Sequence, residues 1–232
     1  MRELVKIENL WKRYDLKAVI RDVNVTITEG KIIGLVGDNG SGKTTLLKMI
    51  VGLQHPSQGN IFIAGKKVGL ETKKIVSFMS DRPIFEEWMT VKDALFFYRD
   101  FHEDFDIQKA VDTIAKLKIP LEEKINALSK GMVEKLQLIL TFSRHAKLYV
   151  LDEPLGGIDL VSREHVLELI LQFYREDCTI LISTHLIGEI ENLFDEIIFL
   201  KDGEIVLYEN VEDIRFQRGK AIHELFKEVF GQ

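Results

Sequence analysis

Two rhythms of apolar residues run along the chain. Residues 4–7 and 23–27 alternate apolar with polar positions, the period of half-buried strands, and Glu29-Gly30-Lys31 supplies a turn after the second. They predict an antiparallel β-layer at the start of the chain. Residues 32–36, 76–79, 148–151 and 179–183 are instead apolar nearly throughout, as strands covered on both faces are. The cluster 54–59 is a turn, 60–63 followed by Gly65 reads as another hairpin strand, and 196–200, Lys201-Asp202-Gly203 and 204–207 read as a closing hairpin. A period near 3.6 marks residues 91–101 and 107–117, and positions 132, 133, 136, 139 and 140 of a helix running to about Phe142. Ser129 stands where the N-cap of that helix belongs. Residues 162–174 fill the crossover between two buried strands and make a right-handed βαβ unit. A last amphipathic helix carries Ile222, Leu225, Phe226, Val229 and Phe230 on one face, expected to pack on its own domain.

Composition narrows this picture. A chain of 232 residues, 46% apolar, can bury a sizeable core, and one domain with an inserted subdomain accounts for the pattern. The insert is residues 81–135, where Phe85, Trp88, Phe96, Phe97, Tyr98, Phe101 and Phe105 accompany the helical stretches. Most of these rings are expected in the core of the insert. Phe85-Glu86-Glu87-Trp88 falls in a loop, where large exposed apolar groups mark a partner surface. The net charge of −6 comes without a long run of one sign, so no basic footprint points to nucleic acid. Cys178 is the only cysteine, which forbids an internal disulfide and suits a reducing compartment, the cytoplasm. No apolar run approaches the roughly 18 residues of a membrane span, and residues 1–6 lack the apolar core of a signal peptide. A membrane role therefore has to come through a partner.

The candidate chemistry sits where strands end. After the apolar run 32–36 comes Gly37-Asp38-Asn39-Gly40-Ser41-Gly42-Lys43-Thr44-Thr45, then the helical Leu46-Leu47. Glycines at 37, 40 and 42 let backbone approach a polyphosphate closely, and the amides of 41–45 open a helix whose positive end faces it. Lys43 would reach the β- and γ-phosphates, Thr44 a magnesium ion, and Thr45 the neighbouring phosphate. The strand 148–151 runs into Asp152-Glu153, where Asp152 would hold Mg²⁺ and Glu153 would polarise an attacking water. His185 follows the strand 179–183 and ends on the same sheet edge, within reach of a γ-phosphate. Tyr14, a little over twenty residues before the loop, is placed either to stack on an adenine or simply to pack at a strand end.

In this order the motifs resemble the nucleotide-binding subunit of an ATP-binding cassette (ABC) transporter over nearly the whole chain. Residues 37–45 match the Walker A loop, 148–152 the Walker B strand, Glu153 the catalytic carboxylate, and Leu128-Ser129-Lys130-Gly131-Met132 the family signature. Leu155-Gly156-Gly157-Ile158-Asp159 matches the D-loop, His185 the switch histidine and Tyr14 the A-loop aromatic. The resemblance implies an α/β fold: a P-loop NTPase (RecA-like) core with a mainly parallel central sheet, an N-terminal antiparallel β-layer and an inserted α-helical subdomain. Within a single domain, 1–80 and 136–210 would form core and β-layer, 81–135 the signature subdomain and 211–232 a helical tail. It further implies two such cassettes, identical or different, with two ATP molecules between them. Each γ-phosphate would lie against one chain's Walker A and the other chain's Ser129 and Gly131, with Asp159 nearby. Hydrolysis would reopen the pair and drive integral membrane subunits, with the chain peripheral on the inner face of the cell membrane.

The chain departs from the family pattern in three places. Lys130 and Met132 replace the usual glycine and glutamine of the signature, and Gly156-Gly157 opens a more flexible D-loop. Where the family has a glutamine loop, the aligned residue is Asp81, or Ser80 if the alignment slips by one. A carboxylate at 81 could ligate Mg²⁺ directly but would repel a triphosphate more than an amide does. Two other classes compete: a soluble ABC ATPase acting on nucleic acid or protein, and a phosphate-loop kinase or GTPase. The first usually carries coiled coils, a second cassette or a zinc insertion; the second has an Asn-Lys-x-Asp guanine motif or lacks the signature.

Overall fold

A computed structural model describes residues 2–231. Its first two strands, β1 (Glu3–Tyr14) and β2 (Lys17–Thr28), are 12 residues each, longer than the alternation indicates. The reason lies in their pairing: the register shifts repeatedly between Ile7 and Arg13, and Asn9 and Asp22 take positive φ of 48° and 44°. Each bulge resets which face a side chain points to, so the period of two is lost although the strand continues. Then follow β3 (Ile32–Val36), α1 (Lys43–Ile50), β4 (Gln58–Ile63), β5 (Lys66–Lys67), α2 (Leu70–Lys73) and β6 (Val76–Met79). The middle of the chain holds α3 (Val91–Phe101), α4 (Ile107–Lys116) and α5 (Lys130–Phe142). The last part is β7 (Leu148–Asp152), α6 (Leu160–Phe173), β8 (Thr179–Thr184), α7 (Ile187–Ile190), β9 (Glu196–Lys201), β10 (Glu204–Asn210), α8 (Val211–Arg218) and α9 (Ile222–Phe230).

The strands form two sheets. One is antiparallel, in the order β2-β1-β4-β5; the other runs β10-β9-β3-β8-β7-β6 and is parallel except for β10. Every residue of β3, β7 and β8 is buried, as their unbroken apolar runs require. One face of the parallel sheet meets α1 and the antiparallel layer through Ile33, Leu35, Val150, Leu46, Leu47, Leu10 and Ile63. The other meets α5, α6 and α9 through Leu138, Phe142, Val166, Ile170 and Leu225. Parallel pairing puts Val36 beside Thr184 and Asp152 beside Ser183, so the carboxyl ends of β3, β7 and β8 share one edge.

The central helices cap as their sequences direct. Thr90 and Asp93 cap α3 reciprocally, Asp106 accepts from the Lys109 amide at 2.9 Å, and Ser129 accepts from the Met132 amide at 3.3 Å. α3 and α4 share a small core with α5, built from Val91, Leu95, Phe105, Ile114, Leu136 and Ile139. Fewer rings enter it than expected. Val91, Ala94 and Leu95 fill the buried stripe of α3, with Tyr98 packed against it, which leaves Phe96, Phe97 and Phe101 on the outer faces. This segment is pinned to the parallel sheet by Arg144, just after α5. The buried Arg144 guanidinium binds both Asp104 carboxylate oxygens, at 3.0 and 3.2 Å, and donates to the Val76 carbonyl at 2.7 Å.

The helix α8 is not anticipated by periodicity, because only Val211 and Ile214 of its eight residues turn inward. Its ends carried the signal instead: Asn210 accepts from the Glu212 amide at 2.8 Å, and Gly219 closes it in the left-handed conformation. α9 packs on its own domain, burying Ile222, Leu225 and Phe226, with Phe226 edge-on to Phe199 of β9.

Candidate functional site

The loop between β3 and α1 is shaped by glycine. A Cβ on Gly37 would lie 2.2 Å from the Leu200 carbonyl oxygen, and Gly42 adopts φ 109° with its Cβ position 2.8 Å from Ile20. Neither position tolerates a side chain. No side chain caps α1, and its first helical hydrogen bond runs from the Leu46 amide to the Gly42 carbonyl at 2.9 Å. The amides of Lys43, Thr44 and Thr45 therefore have no acceptor within the helix, which makes the loop an anion cradle. Lys43 is only 6% exposed; its ammonium donates to the Gly37 and Asp38 carbonyls at 2.7 and 3.2 Å and lies 3.3 Å from Glu153 Oε1.

Asp152, at the end of β7, is fully buried. Its Oδ1 accepts from Ser183 Oγ at 2.6 Å and Thr44 Oγ1 at 3.1 Å, while its Oδ2 is buried with no hydrogen-bond partner among the described residues. Burial pushes the carboxyl pKa up, the two hydroxyl hydrogen bonds oppose this, and the nearby Asp81 and Glu153 charges add to the rise. An unpartnered oxygen beside a threonine hydroxyl, in a site that needs positive charge, is a donor set that fits Mg²⁺. Glu153 takes a φ of 50°, a strained conformation for a residue with a side chain. It is held there by its amide, which donates to the Ser183 carbonyl and hydroxyl at 3.2 and 3.0 Å. Its Oε2 lies 2.8 Å from His185 Nδ1, just past β8.

Thr44, Thr45, Asp81, Glu153 and His185 line one cleft with Asn39, Gly40, Gly42 and Lys43, of about 350 Å³. Asp81, not Ser80, reaches it; the Ser80 hydroxyl turns back onto the Arg82 carbonyl at 2.5 Å. Ser183, which ties Asp152 to Glu153, was missed by sequence reasoning. The available signal was the hydroxyl pair Ser183-Thr184 closing an apolar strand on the same edge. Gly37, Asp38, Ser41 and Asp152 lie behind the lining, in the loop or bonded to it, whereas Tyr14, Ser129, Gly131 and Asp159 lie apart from the cleft. Tyr14 is half-exposed, its hydroxyl donating to Gln54 Oε1 at 2.6 Å and its ring 5.1 Å from the Lys12 ammonium. Ser129 is an exposed cap, Gly131 is buried against α6, and Asp159 caps α6, accepting from the Ser162 amide at 3.0 Å.

Comparison with known proteins agrees with this geometry. The sequence model of the ABC transporter family matches residues 20–156. The ABC transporter ATP-binding protein YtrB of Bacillus subtilis (strain 168) is 32% identical over 216 residues, covering 91% of this chain and 74% of that protein. A solved structure described as the ATP-binding subunit of an ABC transporter superposes with a TM-score of 0.87 at 27% identity, over 98% of this chain and 99% of that one. The fold is shared with the cassette MJ0796 in a dimeric post-hydrolysis state bound to ADP and Pi, at a TM-score of 0.79 and 22% identity over 89% and 98% of the chains. The chain belongs to the ABC transporter family, as one of its ATP-binding cassettes.

Proposed function

We propose that this cassette binds MgATP in the cleft at the sheet edge, hydrolyses it, and drives a separate membrane-embedded transporter subunit by closing on, and reopening from, a second cassette. The observation that carries the reading is the division of the polar residues. Lys43, Thr44, Asp152, Glu153 and His185 converge within one chain, whereas the signature residues Ser129 and Gly131 and the cap Asp159 lie outside that cleft. A site so divided is completed by a second copy or a related chain.

The bare amides of residues 43–45 and the Lys43 ammonium take the β- and γ-phosphates, and the Tyr14 ring stacks on the adenine. As Lys43 turns to phosphate it releases Glu153 from their ion pair. Glu153 is then free to accept a proton from the attacking water, its carboxylate held in place by His185. Thr44 and Asp152, with Asp81 across the cleft, would hold Mg²⁺, which neutralises charge on the phosphate oxygens. From the partner, Ser129, Gly131 and the N-terminus of α5 meet the γ-phosphate of this chain's ATP.

Among the described residues no helix is long and apolar enough to cross a membrane. The membrane subunit would dock a cytoplasmic helix in the groove lined by Phe78, Pro83, Ile84 and Tyr98, with the exposed Trp88 on the same loop as Ile84. Phe85 tucks into the helical core, so Ile84 and Trp88 are the contacts from that loop. The cassette then lies at the inner face of the membrane through that subunit, with no direct role for nucleic acid.

Glu153→Gln tests the mechanism. We expect hydrolysis to fall by about 10²–10⁴ and the chain to be trapped as a MgATP-bound dimer in sedimentation. A variant that stays monomeric with MgATP would sink the two-cassette reading. Affinity isolation of the same variant from native membranes should bring down a polytopic membrane protein; recovery of soluble partners alone would move the chain to the soluble ABC class.

A further inference from the structure

The first turn of α5 and the loop that follows Glu153 meet at a contact the proposed cycle does not use. Lys130 is the first residue of α5, and its ammonium lies directly on Gly157: a Cβ built there would come within 2.1 Å of Lys130 Nζ. Gly157 has φ 70° and no side chain, so it leaves the space that Lys130 occupies. One residue on, Gly131 sits against α6, with its Cβ position 2.5 Å from Ser162 Oγ, and that hydroxyl donates to Asp159 Oδ2 at 2.7 Å. At its other end the loop is tied to Glu153, because the Gly156 amide donates to the Glu153 carbonyl at 2.9 Å. The loop is thus gripped at Gly157 and at Asp159 by groups on or against α5, and it starts from a residue whose strained φ persists only if its surroundings over-determine it.

We infer that Lys130 is a positioning residue for Glu153. Its side chain, laid along Gly157, holds residues 154–159 against the first turn of α5 and so keeps the Glu153 carboxylate beside His185 and Lys43. The inference rests on the hydrolytic role proposed for Glu153. A glycine at 130, as in the family pattern, has nothing to lay on Gly157; here the second glycine of the D-loop and the lysine of the signature fit each other.

The test compares steady-state ATP hydrolysis by the purified chain with that of K130A, K130M and E153Q, alongside thermal melting. Alanine keeps the helical backbone and removes the strut, whereas methionine keeps the stem and removes the charge. We expect K130A to lower kcat about tenfold, the scale of a small misplacement of a catalytic group, with KM for ATP changed less than about twofold and melting unchanged. K130M should recover most of the lost kcat. An inactive E153Q beside a fully active K130A overturns this inference alone, as does a K130M as slow as K130A. An E153Q that still hydrolyses ATP overturns the role of Glu153 and the inference with it.

Discussion

The cleft at the sheet edge and the surface formed by Ser129, Lys130 and Asp159 carry the same kinds of residue and treat them oppositely. At the cleft, Lys43 and Asp152 are almost entirely out of water and are held from within the chain, the Lys43 ammonium by the Gly37 carbonyl and Asp152 Oδ1 by Thr44 and Ser183. On the signature surface the polar groups face solvent, and their internal hydrogen bonds cap helices. Burying a charge without a partner is expensive, so a buried site must be nearly complete within its own chain. An exposed site is under no such obligation, because water satisfies it until something better arrives. Under the proposed function, the difference separates a preorganised half-site from one completed on contact with a second cassette.

The comparison breaks most readily at Lys43. Lys43→Ala removes the buried cation, leaves Glu153 without its ion pair, and should weaken ATP binding to the single chain about 100-fold, the scale of a lost charge-assisted contact. Fluorescent-nucleotide titration measures it, and affinity held within a few-fold would mean the cleft is not the nucleotide site.

Glu134 sharpens the contrast, being a carboxyl buried in α5 one turn after the exposed Lys130. Burial raises its pKa from 4.5 to about 7, against the pull of Lys130 one turn earlier. A carboxyl whose folded pKa is raised favours the folded state below pH 4.5, and that contribution is lost as pH rises through about 7. Glu134→Gln should therefore match the parent near pH ~4 and exceed it at pH ~8 by up to about 3 kcal/mol. Urea unfolding at the two pH values decides; a difference independent of pH would mean that Glu134 is solvated.

The smallest effect is expected where the two halves of the chain touch. Gly131→Ala places a methyl 2.5 Å from Ser162 Oγ and should cost about 1–2 kcal/mol of stability. Adding Ser162→Ala should return part of it, and additive losses in the same urea experiment would show that the two do not press on each other.

Much of this was legible in the sequence because the cues are local. The glycine spacing of 37–42 and the apolar runs ending in Asp152 and Ser183 name strand, loop and edge without any long-range information. Bulged strands hid because a bulge scrambles the alternation that would reveal them, and α8 hid because two inward residues make no period. The rings of α3 were misassigned to the core since aromatic content reports capacity for burial, not direction. Two contacts were not read: Lys130 on Gly157, and Ser183 bridging Asp152 to Glu153, where the closing hydroxyl marks the edge but not its partners. Each joins residues 27 or more positions apart through packing that no local pattern encodes.

Arg144 gives the molecule a fulcrum. The chain leaves the parallel sheet after β6 and returns through α5, and the guanidinium clasps the Val76 carbonyl on the outgoing strand and Asp104 in the excursion. A sideways push on the outward rings of α3 would meet a pivot instead of dissipating in a slack hinge. That pivot bears on β6 at Val76, five residues before Asp81 at the mouth of the cleft.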